Sequence, residues 1–357
     1  MNAGGAETFL MKIYRNIDRS RYQMDFCINV KEKCFYEDEI LAMGGRIYRI
    51  PTKSENMAEF KAGLASVIKD NGYDRVLRIT SSAMGFMDLK IAKSAGASVC
   101  CARSSNASDG DGFRVWLAHR LGRLLYNRYV DVKIAPSDLA ARYTFGERAY
   151  RSGKVSILHN AVDLDIFRFD AAARADVRRE LGIPEGARVI GHVGRFDEQK
   201  NHTFLADIFK AVSELDASAV LLLVGDGALR ASFEKKIAES GLTDRVILAG
   251  VRSDVPRLLS AMDAFAFPSF YEGMPNTVIE AQATGLPCVI SDTITREANI
   301  TGLVEYLPLE LSAEEWARRV VSRLGMERRD TSDDFRLNRY DIGSTVEDFT
   351  DLIWKKG

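Results

Sequence analysis

Two glutamates flank a turn in the stretch FYEGMPNTVIEA, which runs from residue 270 to residue 281. Glu272 precedes the Gly-Met-Pro turn, and Glu280 lies within a helix predicted to begin near Asn276. The N-terminus of such a helix presents free backbone N–H groups and a positive dipole end, which favour a bound phosphate. Carboxylate oxygens are hydrogen-bond acceptors only, so the two glutamates suit hydroxyl groups that flank the phosphate.

Two cations are predicted to lie near this turn. Arg195 follows the apolar run VIGHV, and Lys200 lies at the start of the next helix. Ligands of open parallel sheets bind beyond the carboxyl ends of the strands, where these loops and the Gly225–Gly227 loop should meet. Arg195 and Lys200 can neutralise a diphosphate, and Gly273 lets the backbone approach it closely. A diphosphate with a ribose on one side and a sugar on the other is a nucleotide-diphospho-sugar.

The elements that would position these residues alternate between short apolar runs and amphipathic stretches. Strands alternating with helices imply parallel, doubly wound sheets. The predicted strands are Asp25–Val30, Arg46–Ile50, Arg75–Ile79, Ala97–Cys101, Val132–Ala135, Arg188–Val193, Ala219–Val224, Val246–Leu248, Ala264–Phe267, Cys288–Ile290 and Val304–Tyr306. The predicted helices include Met57–Lys69, Thr203–Ser213, Ala231–Glu239 and an amphipathic helix at Asp341–Trp354. A break between two α/β domains is predicted near Ile157–Phe167.

Length and composition fit a globular protein of two domains. The chain has 357 residues, of which 46% are hydrophobic and 28% charged. No apolar run is long enough for a transmembrane helix, and no signal peptide is recognised. The five cysteines form no CxxC pair and are odd in number, which favours reduced buried thiols over a disulfide framework or a zinc site.

Charge is distributed unevenly along the chain. Residues 1–158 carry 25 Lys and Arg against 17 Asp and Glu, a net charge of about +8, whereas the remainder is net negative. This asymmetry suggests that the first half faces an anionic partner. The alternative is an ordinary solvated surface whose charges are uneven by chance.

One basic stretch, Phe113–Val130, has two interpretations. It carries an apolar stripe at helical spacing together with four arginines. Such a helix can lie on an anionic membrane surface, with Tyr126 and Tyr129 at the interface. The alternative is a domain helix whose stripe packs into the core. The sequence leaves both open, although the basic first half favours the membrane slightly.

In combination, these motifs resemble the GT-B glycosyltransferases of the retaining family 4 type, over nearly the whole chain. The most specific match is the pair Glu272 and Glu280 within EGMPNTVIEA, and VGRFDEQKNH, GGAE, HNAVD and LVGDG match as well. The resemblance implies an α/β fold of two facing Rossmann-like domains. Residues 1–160 would form the acceptor-side domain, with the helix of 341–357 packing back on it, and residues 161–340 would bind the nucleotide-sugar.

The resemblance also implies roles for individual residues. Glu280 would hold the donor ribose and Glu272 the sugar hydroxyls, while Arg195 and Lys200 would hold the diphosphate and stabilise the leaving group. Catalytic roles would therefore fall to Glu272, Arg195 and Lys200. Further donor contacts are expected at Gly4, Gly5, Val251, Arg252, Gly273, Met274, Asn276 and Thr277.

The sequence departs from the family pattern at two places. The first-domain histidine is replaced by Arg103, Ser104, Ser105 and Asn106, of which Arg103 and Asn106 are candidate acceptor contacts. For Arg103, a solvated loop position is an equal alternative. The glycine pair Gly4–Gly5 should follow a first strand, yet the sequence has none before it, so the first domain is expected to lack that strand.

The expected activity is metal-independent transfer of a hexose-type sugar, with retention, to a saccharide or polyprenyl-linked acceptor in capsular, exopolysaccharide or O-antigen synthesis. No cofactor, metal or nucleic acid is expected, because the three-residue DxD matches at Asp109–Asp111 and Asp163–Asp165 are weak and the second lies inside HNAVDLD. The expected location is cytoplasmic, with an anionic membrane surface as a candidate partner. Two alternatives stay open: a catalytically impaired or truncated homologue that acts as a binding partner, and a nucleotide-sugar epimerase of GT-B fold. A nicotinamide dehydrogenase is disfavoured because no GxGxxG follows a strand.

Overall fold

The computed structural model describes residues 5–105, 113–272 and 274–355. Three of the candidate site residues, Gly4, Asn106 and Gly273, lie outside the described residues. The strands are β1 (Phe26–Ile28), β2 (Ile47–Arg49), β3 (Arg75–Thr80), β4 (Val99–Ser104), β5 (Val132–Ala135), β6 (Val155–Ile157), β7 (Arg188–Val193), β8 (Ala219–Val224), β9 (Val246–Leu248), β10 (Ala264–Phe267), β11 (Cys288–Ser291) and β12 (Val304–Leu307).

Helices separate most of these strands, as the alternating pattern predicts. The helices are α1 (Gly5–Asn16), α2 (Glu37–Ala42), α3 (Met57–Asn71), α4 (Phe86–Ser94), α5 (Phe113–Tyr126), α6 (Asp138–Phe145), α7 (Glu147–Arg151), α8 (Leu164–Phe167), α9 (Ala171–Glu180), α10 (His202–Leu215), α11 (Arg230–Glu239), α12 (Val255–Ala261), α13 (Asn276–Ala283), α14 (Ala313–Arg323), α15 (Ser332–Leu337) and α16 (Ile342–Thr350). A π-helical turn over Asp351–Lys355 continues α16.

The chain divides into two compact units. Unit 1 comprises the described residues up to Ala161 together with those from Ile342 onward, and unit 2 comprises Val162–Asp341. Each unit contains parallel strands covered by helices, which is the doubly wound α/β class. No helix of the described ranges has both the length and the hydrophobicity needed to cross a membrane.

Unit 2 is built on one six-stranded parallel sheet with the order β12-β11-β10-β7-β8-β9. The central strands are apolar on both faces because helices cover both; β8 and β10, for example, are buried along their whole length. One core cluster joins Val189, Leu222 and Phe265 to α9, α12 and α13, and a second joins Leu221 and Leu223 to α10, α11 and α14. The carboxyl ends of the strands therefore lie at one edge, which positions the loops that follow them.

Unit 1 contains two separate parallel sheets. One pairs β1 with β2, and the other has the order β3-β4-β5-β6. Helix α1 packs against both, since Phe9 and Ile13 join the cluster that contains β4 and β5, whereas Met11 and Tyr14 join Phe26 of β1. Helix α16 packs on the same side, with the rings of Phe349 and Phe9 6.3 Å apart. In the part of the chain that the structure describes, no strand precedes α1.

Most strand boundaries predicted from the sequence are confirmed, above all in unit 2. One boundary is wrong in a way that affects the site: the fourth strand ends at Ser104 instead of Cys101, so Arg103 lies inside β4. The prediction of buried thiols is also wrong for Cys27, which is exposed, while the other four cysteines are free and buried.

Candidate functional site

The loops after β7, β8 and β9 are joined by backbone contacts at the carboxyl edge of the unit 2 sheet. Gly194 N–H donates to the Val224 carbonyl at 2.9 Å, and Gly225 N–H donates to the Gly250 carbonyl at 2.8 Å. Gly225 has a φ of +137°, and a Cβ atom there would lie 2.0 Å from the Gly194 carbonyl oxygen. Only glycine fits this approach, which explains the Gly225–Gly227 motif and fixes the position of the Arg195 loop.

An ion pair lies at this edge between two residues predicted to share a site. Lys200 Nζ lies 2.5 Å from Glu272 Oε1, and the two side chains are 17% and 9% exposed. Lys200 ends a 3₁₀ turn over Glu198–Lys200, which is capped by Asp197 through a hydrogen bond to the Lys200 N–H. The ammonium group also lies over the Phe267 ring, 4.8 Å from its centroid. The carboxyl ends of β7 and β10 thus meet at one charged pair.

The segment that carries Glu272 is fixed to the Lys200 turn by two further hydrogen bonds. Phe270 N–H donates to the Gln199 carbonyl at 2.9 Å, and Gln199 Nε2 donates to the Tyr271 carbonyl at 2.8 Å. Gln199 was not singled out from the sequence, because a glutamine in a loop carries no recognisable signal. Its hydrogen bonds join the Lys200 turn to the segment that carries Glu272 and so help to position Glu272.

Arg195 and the N-terminus of α13 are the remaining groups that were predicted to bind phosphate. Arg195 is exposed, and no carboxylate of the described residues pairs with it. Helix α13 begins at Asn276 without a side-chain cap and without an acidic residue in its first turn. The first hydrogen bond within this turn is donated by the Val278 N–H to the Pro275 carbonyl. The N–H groups at the start of the helix lie before that bond in the chain. Thr277 and Met274 are half-buried at this end, and Glu280 lies one turn further along α13.

Val251 and Arg252, two of the residues expected to contact the donor, follow β9. Val251 lies at the surface and is 81% exposed. Arg252 differs, because its guanidinium donates to Asp254 and to Glu180 at 2.7 Å each. These hydrogen bonds raise the pKa of Arg252. The Arg252 side chain is therefore committed to two carboxylates.

Two buried histidines, His192 and His202, pack near Lys200 with their ring centroids 4.8 Å apart, and no sequence motif singles them out. His192 Nδ1 contacts the Ala266 carbonyl at 3.0 Å, and His202 stacks on Phe196 with ring centroids 4.1 Å apart. Burial lowers the pKa of His202 to about 4, and burial followed by the charge of His202 lowers the pKa of His192 well below its usual value. Both rings are neutral near pH 7, so they act as packing groups beneath the site.

In unit 1, Arg103 is buried rather than solvated, so the loop interpretation is wrong. Its side chain is 2% exposed, and its guanidinium donates to Asn160 Oδ1 at 2.7 Å and lies 3.5 Å from the centroid of the Phe9 ring. Burial lowers the pKa of Arg103 to about 9. Its role toward an acceptor stays a prediction. Gly5 is the first residue of α1, and His159 Nδ1 lies 3.1 Å from the Pro136 carbonyl oxygen.

The two acidic DxD motifs differ in what the structure shows of them. Asp163 caps α8, because its Oδ1 accepts from the Asp165 N–H at 3.1 Å, and this accounts for the second DxD match. Asp109 and Asp111 lie outside the described residues. Within the described ranges, no group of three or more His, Cys, Asp or Glu side chains is arranged to hold a metal ion.

Comparison with known proteins agrees with this arrangement. Residues 187–325, which include the Lys200 and Glu272 loops, match the family model described as glycosyl transferases group 1. The chain is 35% identical over 328 residues to the putative glycosyltransferase EpsF of Bacillus subtilis, an alignment that covers 90% of this chain and 85% of EpsF. It is 38% identical over 143 residues to an Escherichia coli UDP-Gal:alpha-D-GlcNAc-diphosphoundecaprenol alpha-1,3-galactosyltransferase, covering 39% of this chain and 37% of that enzyme.

Solved structures agree on the fold. Anabaena Alr3699/HepE, crystallised with UDP and glucose, superposes with a TM-score of 0.74 at 18% identity, over 98% of this chain and 95% of HepE. At that identity the likeness concerns the GT-B fold alone, whereas the long alignment with EpsF concerns the family. The chain belongs to the glycosyl transferases group 1 family and has the GT-B fold.

Proposed function

We propose that this glycosyltransferase moves a sugar, with retention of anomeric configuration, from a nucleotide-diphospho-sugar to a saccharide or lipid-linked saccharide acceptor. The observation that carries the proposal is the Lys200–Glu272 pair, held at 2.5 Å on two loops that meet at the carboxyl edge of a parallel sheet. A cation with a carboxylate beside it suits a ligand that carries a diphosphate next to hydroxyl groups.

Donor binding would change the partner of Lys200. Glu272 neutralises the Lys200 ammonium group at a largely buried position. A diphosphate carries more negative charge than one carboxylate and would draw Lys200 toward it, which frees Glu272 to accept hydrogen bonds from the sugar hydroxyls. Arg195, which is exposed and has no carboxylate partner among the described residues, would join Lys200 at the diphosphate.

These groups would do most for catalysis when the bond to the sugar breaks. The leaving nucleotide diphosphate gains charge at the oxygen that it keeps, and preformed cations stabilise that charge more than they stabilise the ground state. Two protein cations and the N-terminus of α13 could provide this stabilisation without a metal ion. Glu280, one turn into α13, would hold the ribose hydroxyls and thereby place the nucleotide along the same helix.

Relatives support the acceptor class. The Escherichia coli relative is named for a diphosphoundecaprenol-linked acceptor, as is a Campylobacter jejuni relative that is 30% identical over 139 residues. The alignment with the first of these covers only 37% of that enzyme. A lipid-linked saccharide of a surface polysaccharide pathway is therefore the acceptor to test first.

The test of donor binding is titration calorimetry of the full chain with UDP, GDP and ADP and their sugars. We expect one nucleotide family to bind, and binding to persist in EDTA. Glu280→Ala should weaken binding of that nucleotide by roughly tenfold, because the ribose diol loses about 1–3 kcal/mol of hydrogen bonding. Glu185→Ala, which removes an exposed carboxylate elsewhere in unit 2, is the matched control and should bind normally. Equal affinity in the two variants would overturn the ribose role of Glu280.

The reaction type is tested by products. Incubating the donor that binds with a diphosphoundecaprenol-linked saccharide should release nucleotide diphosphate, and the anomeric coupling in the new disaccharide should match that of the donor sugar. An inverted product would refute retention. Release of nucleotide diphosphate with the 2-epimer of the sugar, in the absence of any acceptor, would indicate the epimerase. Donor binding with no turnover of either kind would indicate a binding partner.

A further inference from the structure

The segment between β10 and Glu272 exposes two consecutive aromatic side chains. Phe270 is 49% exposed and Tyr271 is 63% exposed, although the strand that leads into them is buried along its whole length. Within the described ranges, neither ring stacks on another aromatic ring or lies against a cation. Single apolar residues are common on protein surfaces, but two neighbouring unstacked rings beside a candidate site indicate a surface that binds a ligand.

The backbone that carries the two rings is held on both sides. Phe270 N–H donates to the Gln199 carbonyl at 2.9 Å, and Gln199 Nε2 donates to the Tyr271 carbonyl at 2.8 Å. One residue earlier, the Ser269 carbonyl accepts a hydrogen bond from Thr293 Oγ1 at 3.3 Å. Because the backbone is already held and each ring has only two side-chain torsions, fixing a ring against a ligand costs little conformational entropy.

Polar groups lie at the same edge of the sheet, on the loop that follows β11. Thr293 is held in this loop by a hydrogen bond of 2.7 Å between its Oγ1 and Ser291 Oγ. Its neighbour Asp292 is exposed, and no cation of the described residues pairs with its carboxylate. A carboxylate accepts hydrogen bonds from hydroxyl groups, and Tyr271 Oη can both donate and accept. The two rings are therefore accompanied by groups that suit hydroxyls.

This combination of groups fits a sugar ring. One face of a pyranose presents polarised C–H bonds, whereas the face of an aromatic ring carries negative charge density, so the two faces attract each other. The hydroxyl groups around the pyranose need acceptors and donors, which Asp292 and Tyr271 Oη can supply. A phosphate group, by contrast, would be repelled by the Asp292 carboxylate.

Order along the chain indicates which sugar would use the rings. Under the proposed function, Glu272 accepts from the hydroxyls of the donor sugar, and the N-terminus of α13, which follows Glu272, binds the diphosphate. Phe270 and Tyr271 precede Glu272 and are tied to the β11 loop instead. A sugar that meets the rings lies beyond the donor sugar, away from the diphosphate, which is the place of the acceptor.

We infer that Phe270 and Tyr271 form a stacking platform for a pyranose ring of the acceptor saccharide. Asp292 and Tyr271 Oη would bind hydroxyl groups of the same ring. The inference rests on the proposed function and assigns a further part of the same site. The platform would hold the acceptor beside the donor sugar and so set KM for the acceptor, while charge stabilisation at the leaving group stays with Lys200.

The first experiment measures sugar binding without donor and without transfer. Saturation-transfer-difference NMR of the full chain is recorded with the methyl pyranosides of glucose, galactose, mannose and N-acetylglucosamine, and with sorbitol, which has hydroxyl groups but no ring. We expect saturation of the ring C–H protons of at least one glycoside and little saturation of sorbitol. Tyr271→Ser should weaken glycoside binding roughly tenfold, whereas Tyr271→Phe, which keeps the aromatic face, should retain most of it.

The second experiment separates the acceptor from the donor. Phe270→Ala and Tyr271→Ser should each raise KM for the lipid-linked acceptor roughly tenfold, while the affinity for the nucleotide in calorimetry stays unchanged. Leu215→Ser removes an exposed leucine at the end of α10 and is the control, which should behave like the parent chain in both experiments. Circular dichroism checks the fold of each variant, and Tyr271→Ser, which removes a mostly exposed ring, carries the test should Phe270→Ala fail to fold.

Three results would decide against or for the platform. Equal saturation of the glycosides and sorbitol, or unchanged glycoside binding by Tyr271→Ser, would overturn it. A loss of affinity for the nucleotide-sugar in Tyr271→Ser, with an unchanged acceptor KM, would assign the rings to the donor and overturn the acceptor role. If the parent chain transfers no sugar, the proposed function fails; loss of the glycoside signal in Tyr271→Ser and its recovery in Tyr271→Phe would still support the platform.

Discussion

Lys200 Nζ and Glu272 Oε1 lie 2.5 Å apart although 72 residues separate them in the chain. The pair joins the turn after β7 to the segment after β10, and the hydrogen bonds of Gln199 hold the same two loops together. Neutralisation by Glu272 explains how an ammonium group that is only 17% exposed is tolerated at this position.

Replacing Lys200 by Met should reduce turnover while the chain stays folded. The variant loses the cation that we propose for the leaving group, and we expect kcat to fall by roughly 100-fold or more. The free energy of unfolding should fall by about 3 kcal/mol, because the Lys200 and Glu272 side chains are only 17% and 9% exposed and the variant leaves the Glu272 carboxylate without its cation. Steady-state kinetics and urea unfolding measure the two effects. Lys236→Met breaks a comparable pair with Asp207 (2.6 Å) away from the site and should keep normal turnover. A large loss of stability with normal turnover would make the Lys200 pair structural.

Gly225→Ala should destabilise unit 2 strongly. Its φ of +137° strains any other residue, and the new Cβ would overlap the Gly194 carbonyl oxygen. We expect a loss of roughly 2–4 kcal/mol from strain and overpacking. Urea unfolding is followed by fluorescence after Trp116 and Trp354 are replaced by Phe, so that buried Trp316 reports on unit 2.

Gly241→Ala is the control for this glycine. It also has a positive φ (+69°), but nothing lies within 4 Å of its would-be Cβ, so the cost should be about 1 kcal/mol. Similar losses in the two variants would mean that the close approach of Gly225 to Gly194 has no energetic weight.

Unit 2 should lose stability as pH falls below about 6.5. Burial lowers the pKa of His202 to about 4, so between these pH values the unfolded chain binds a proton that the folded chain excludes. The contribution of neutral His202 is complete above pH 6.5, and roughly 2 kcal/mol of it should be lost by pH 5, with a further loss from His192. Urea unfolding across this range measures the slope. His202→Gln should reduce the slope of the free energy of unfolding against pH by the equivalent of about one proton, whatever its effect on stability at pH 8. An unchanged slope would contradict the burial of an ionisable imidazole.

Arg103→Met should leave unit 1 as stable as before, or more stable. The guanidinium is buried against Phe9 and Asn160, and no carboxylate of the described residues offsets the desolvation of its charge. An apolar side chain of similar length removes that desolvation cost. If Arg103 contacts an acceptor, KM for the acceptor should rise while donor affinity stays normal. A loss above about 2 kcal/mol with unchanged KM would show that Arg103 serves packing alone.

The strands of unit 2 were predictable because they are buried on both faces and read as continuous apolar runs, as in AVLLLV of β8. The proximity of Lys200 and Glu272 was predictable, because parallel strands bring their carboxyl ends to one edge of the sheet. Their direct contact was not predictable. Arg103 was misplaced because β4 continues through a charged residue, and sequence patterns place charge outside strands. Helix α5 turns apolar residues such as Phe113 and Leu124 to solvent because Gly122 fits closely against the Met84 backbone. No periodicity in the sequence can reveal such a fit.

The divided sheet of unit 1 has a consequence for how that unit opens. In unit 2, the first strand, β7, lies between β8 and β10 and joins both halves of the sheet through backbone hydrogen bonds. In the described part of unit 1, side chains of α1 connect β1 and β2 to the larger sheet. Side-chain contacts can separate without breaking the backbone hydrogen bonds between strands. We therefore expect β1, β2 and α2 to exchange their amide hydrogens through a local opening of low free energy. The slowest exchange should be found in β7 and β8, which would make unit 2 the more rigid of the two units.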